Sequence, residues 1–164
     1  MTEEQRSKSI REWVWWAIAL QALGYVIDIV WHALLGGGAE PATFDEMARH
    51  LITVHLLLYI GCACVLIATT VALIQGASES RVRSAVAIAF AGAVLSAAAE
   101  AWHAYSHLQL DTHHAPMAGI LSAIGFVVVV VATWQAGRPS SLAQARARRG
   151  PVTRSAGRSS GSAR

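Results

Sequence analysis

The chain has 164 residues, 54% of them apolar and only 14% charged, with a formal charge of +3 and a mean hydropathy of +0.43. One domain at most fits that length, and the apolar excess with so few charges excludes an ordinary water-soluble domain. The positive balance does not indicate nucleic acid, because the arginines collect in the C-terminal tail and beside apolar stretches, as membrane orientation requires.

Four apolar stretches approach the roughly 20 residues needed to cross the hydrocarbon core: Trp13–Leu35, Leu51–Ile74, Val82–His107 and Ala115–Ala136. The first is too long for a signal-peptide core and is read as a span. Gly36-Gly37-Gly38 and Pro41 end it, Gly76 to Ser80 separates the second from the third, Leu108–His114 links the third to the fourth, and Gly137 with Pro139 closes the fourth. The expected fold is therefore all-α and integral to the membrane, an antiparallel four-helix transmembrane bundle. Residues 1–12 form an N-terminal segment, 13–137 the bundle, and 138–164 a basic tail.

Lys and Arg set the orientation. Arg6, Lys8, Arg11, Arg81, Arg83, Arg138 and the tail arginines Arg146, Arg148, Arg149, Arg154, Arg158 and Arg164 fall on one side of this topology, and only Arg49 on the other. The positive-inside rule puts both termini in the cytoplasm and the 36–50 and 108–114 loops outside, in the plasma or inner membrane of a bacterial cell. The Ser-, Gly-, Ala- and Arg-rich tail lacks apolar periodicity and is expected to be disordered. The expected partners are the bilayer and, for the tail, anionic headgroups. A homo-oligomer stays open, and no nucleic-acid partner is expected.

The third span is mostly Ala with Gly92 and Ser96, and the fourth carries Ala118, Gly119, Ser122 and Gly125. Small residues of this kind let helix backbones approach closely in lipid. The two cysteines, Cys62 and Cys64, point to opposite sides of a helix and read as small packing residues. Trp13, Trp15, Trp16 and Trp134 form an inner aromatic belt, and Trp31 and Trp102 an outer one.

All seven histidines fall on the outer side: His32, His50, His55, His103, His107, His113 and His114. Asp28 and Glu100 are the only acidic residues within the four stretches, each about 10 Å below the outer end at 1.5 Å per residue. Asp28 and His32 are four apart and share a helix face, while Glu100, His103 and His107 form a continuous stripe. His55 reaches the same layer. An ionised carboxylate in hydrocarbon costs about 3 kcal/mol or more unless it faces a partner or water, and a cation among imidazoles would compensate both. Asp28, His32, His55, Glu100, His103 and His107 are therefore the expected metal ligands. His50, His113 and His114 are equally well read as interfacial residues meeting headgroups or water, so their membership is left open.

The acid–Trp-His pattern occurs twice, in Asp28 to Trp31-His32 and in Glu100 to Trp102-His103. A duplicated two-helix unit would produce it, with a site between the halves. The donors suit zinc, non-haem iron, manganese or copper(II), and there is no usable thiolate. Glu-x-x-His resembles the unit of di-iron and di-manganese bundles, but only once, at Glu100 and His103. His103/His107 and His113/His114 look superficially similar to the boxes of membrane hydroxylases and desaturases. Those families carry more histidines, in longer boxes, on the cytoplasmic side, so no family is assigned.

The expected function is a membrane metalloprotein, a metal-dependent oxidoreductase or hydrolase on a lipid-like substrate. One alternative is a b-type haem electron carrier, with His32 or His55 opposite His103. Another is a metal- or proton-handling transporter subunit or sensor, which the lack of ionisable residues in the inner half of the spans disfavours.

Overall fold

The computed structural model describes residues 3–35, 41–75, 80–109 and 115–138, all built from helices and short connections. The expectations for Gly36-Gly37-Gly38, for Gly76 to Glu79, for the 110–114 link with His113 and His114, and for the tail from Pro139 lie outside the described residues.

Helix α1 (Glu3–Val30) continues into a π-helical turn at Trp31–Leu35. It starts ahead of the expected Trp13, because the charged residues before that point favour water without breaking a helix. Helix α2 (Phe44–His50), a second π turn (Leu51–His55) and α3 (Leu56–Gln75) form one rod. Its start at Phe44, not Leu51, is set by capping: the Thr43 side chain accepts a hydrogen bond from the Glu46 N–H at 3.3 Å, and Asp45 and Glu46 occupy the positive first turn. Helices α4 (Ser80–Leu108) and α5 (Ala115–Gly137) follow.

Among the described residues, four stretches are long and apolar enough to cross a membrane: Lys8–Leu34, Phe44–Gln75, Ser80–Leu108 and Pro116–Gly137. Helix α1 packs along α3 and α4 along α5, and α3 against α4 joins the two hairpins. Both hairpins bring backbones into contact. A Cβ on Gly61 would collide with the Gln21 backbone, and one on Gly125 would lie 2.6 Å from the Gly92 carbonyl oxygen. Of the small residues expected at the seam, Ala118, Ser122 and Gly125 are buried there, whereas a Cβ on Gly119 would meet nothing within 4 Å.

The distribution of polarity is reversed from that of a water-soluble bundle. Ile29, Leu34, Ile67 and Ile74 face outward, each more than half exposed, while Gln21, His55, Ser96, Glu100, His107 and Ser122 are buried inside. An apolar layer of Val14, Ala17, Ile18, Val65, Ala93 and Val129 fills the core below them. Away from the histidines, Arg81 donates to the Gln135 carbonyl at 3.2 Å and the Arg138 guanidinium sits 3.6 Å over the Trp134 ring.

Candidate metal centre

The last turn of the α1 rod, the first turns of the α2–α3 rod and the end of α4 meet at one end of the bundle. Five imidazoles, His32, His50, His55, His103 and His107, form a continuous set of ring contacts there. Their centroids lie between 4.4 Å (His103–His107) and 6.4 Å (His50–His107) apart. His50, His55 and His107 are buried and His32 is half-buried.

Within this set, His32, His50 and His55 each offer a ligand nitrogen, all within 4.8 Å of one another. His55 Nε2 is 3.2 Å from His50 Nε2. Imidazole nitrogens bound to one ion at about 2.0–2.1 Å lie about 2.8–3.4 Å apart in octahedral or tetrahedral geometry, so this separation is already that of two neighbouring ligands. Trp31 packs on His50 and His32, with centroids at 4.3 and 5.0 Å.

Asp28 lies beside the trio. Its Oδ1 is 3.4 Å from His32 Nε2 and 3.2 Å from His55 Nδ1. The second contact has ion-pair distance without the alignment of a hydrogen bond. His55 therefore has a carboxylate on one ring nitrogen and an imidazole on the other.

The expected ligands divide into three groups. His32 and His55 join the trio, with Asp28 against them. His103 and His107 pair with each other, Nε2 to Nε2 at 2.9 Å, and touch the trio through their rings. Glu100 is buried one turn deeper, beside the Ser122 side chain. It is not among the residues whose ligand atoms converge in the trio.

His50, left open on sequence grounds, belongs to the trio. Residues five apart on an α-helix point roughly 140° away from each other, which hides the pairing of His50 with His55. The π turn between them, with its i→i+5 bonding, swings both onto one face. The other π turn, Trp31–Leu35, carries His32. Such turns cluster at functional sites.

A second feature escaped the reading of Cys62, Ser96 and Ser122 as packing residues. Gln21 Nε2 donates to Ser96 Oγ at 2.9 Å and to Cys62 Sγ at 3.0 Å. Ser96 and Ser122 share a hydrogen bond of 3.1 Å, and Tyr25 Oη bonds Ser122 Oγ. With Glu100 these residues make a polar network drawn from α1, α3, α4 and α5, directly beneath the imidazoles. Gln21 Oε1 and Tyr59 Oη are buried with no hydrogen-bond partner, and the Tyr59 ring stacks on His55 at 5.9 Å. A lone Gln and scattered Ser in apolar runs were the only sequence signal.

The chain matches no protein-family model, no curated protein and no solved structure.

Proposed function

We propose that this chain is an integral membrane metalloprotein that binds a transition-metal ion through His32, His50 and His55, and that it is an enzyme acting on a lipid-like or membrane-soluble substrate. The observation that carries the reading is the convergence of three imidazole nitrogens within 4.8 Å beside Asp28. Three protein ligands with one position left open is the arrangement of catalytic metal sites, whereas structural sites are closed by four. An imidazole trio suits zinc, copper or iron better than manganese.

An ion held there supplies an acidified water or a polarised carbonyl. Asp28 is placed to orient His55 or to take a proton from a water beside the trio. The side chains of His32 and Asp28 are 31% and 21% exposed, which leaves the site open on its flank to a substrate arriving within the bilayer.

Outward apolar side chains around a polar interior support a lipid setting, and the segregation of Lys and Arg away from the histidines supports cytoplasmic termini with the site near the outer face. The pairing of α1 with α3 and of α4 with α5 suits a duplicated two-helix unit. Direct ring-on-ring packing of the five imidazoles favours a small ion over haem, which needs a slot for its macrocycle between two histidines.

A proton-handling role is the second reading, favoured by the network from Glu100 to Gln21 and Cys62. The apolar layer of Val14, Ile18, Val65 and Val129 lies across its lower end, which supports a site fed from one side over a path through the monomer.

Metal analysis after purification in mild detergent tests the proposal. At least one tightly bound ion per chain, removed by chelator, is expected, and His50→Ala should lose the ion held by the trio. Metal at background in the wild-type protein would refute it.

A further inference from the structure

His103 and His107 converge without belonging to the trio. Their Nε2 atoms are 2.9 Å apart, while the only three-residue ligand group among the described residues is His32, His50 and His55. The spacing is His-x-x-x-His on an unbroken α-helix, which presents two imidazoles on one face and is a chelating arrangement in its own right. At 2.9 Å the nitrogens stand at about the separation of two neighbouring ligands bound near 2.0–2.1 Å. The pair also sits against the trio, with the His103 ring 5.3 Å and the His107 ring 5.9 Å from that of His55. Glu100 lies one turn away on the same face.

We infer that His103 and His107 form a second ion seat, so that the centre binds two transition-metal ions, with His55 packed between the two positions. The inference rests on the proposed trio site and extends it. Two adjacent ions can clamp the attacking and leaving atoms of one substrate from both sides. With two imidazoles against three, the second seat has more open positions and binds its ion more weakly, so that ion exchanges first.

The test uses full-length protein in detergent, stripped with chelator and titrated with Co²⁺, with bound metal read by equilibrium dialysis and the spin state by electron paramagnetic resonance. Two ions per chain are expected, the second with at least tenfold weaker affinity, and the signal per ion should fall as the second binds because adjacent spins couple. His107→Gln should bind one ion with the tighter affinity unchanged, and His50→Ala should keep only the weaker one. Saturation at one ion, unaltered by His107→Gln, would show an ordinary hydrogen-bonded histidine pair and overturn the second seat while leaving the trio in place. Loss of all metal in a helical His107→Gln variant would mean one ion shared by all the imidazoles, and would also overturn it. No binding in the wild-type protein would overturn the trio as well. The signal change in the wild-type protein decides the matter without any variant.

Discussion

Asp28 and His55 face each other across the α1–α3 hairpin, with Oδ1 and Nδ1 3.2 Å apart, while the far side of the same imidazole meets His50 Nε2 at 3.2 Å. A carboxylate this close to one ring nitrogen favours the proton on that nitrogen electrostatically and leaves the other lone pair for a cation. Asp28 is thus better placed as a positioning residue than as the ligand expected from its sequence spacing.

Asp28→Asn should therefore weaken metal binding by about 10- to 100-fold without abolishing it, the usual effect of removing an outer-shell partner. His55→Ala should abolish binding to the trio. Competition against a chelator of known affinity separates the two. Complete loss in Asp28→Asn would make Asp28 a ligand.

The glycine seams are essential to the bundle. A Cβ at Gly125 would lie 2.6 Å from the Gly92 carbonyl, so α4 and α5 must separate to accept it. Gly125→Ala should destabilise the bundle by about 1–3 kcal/mol, the cost of overpacking a tight contact, seen as a lower thermal unfolding midpoint in detergent. Gly119→Ala, with open space at its Cβ, should leave the midpoint unchanged.

The polar network makes its own prediction. Ser122 hydrogen-bonds Tyr25 and Ser96 and lies beside Glu100. Ser122→Ala should cost about 1–3 kcal/mol, because it leaves buried groups short of a partner. Gln21→Leu should cost less than Ser122→Ala, since it also removes the unpartnered Oε1. Unfolding of the two variants in the same detergent ranks them, and the reverse order would contradict the network.

Orientation is checked by cysteine labelling, with native Cys62 and Cys64 lying inside a span. Ala42→Cys, at the histidine end, should react with an impermeant maleimide on intact cells. Ser80→Cys should react only after permeabilisation. The opposite pattern would invert the topology.

The helices were legible because their apolar runs are long, and Gly and Pro punctuate them. Boundaries were less so: hydropathy alone places the second span's start at Leu51, whereas Thr43-x-x-Glu46 sets it at Phe44. His32 and Asp28 could be paired from their spacing because α-helical geometry holds up to Val30. His50 could not be joined to His55, since only a π turn aligns residues five apart, and hydropathy carries no trace of that turn. Glu100 shared a stripe with His103, but a stripe does not say how deep a carboxyl sits. Ser122, on a different helix, is what it meets.

X-ray absorption on the metal-loaded protein tests the centre most directly. Binding by the trio predicts, at one ion per chain, a shell of at least three nitrogen neighbours at about 2.0–2.1 Å, with the outer scattering of imidazole rings, that is lost in His50→Ala. A shell of oxygen alone, or one unchanged by that substitution, would contradict it.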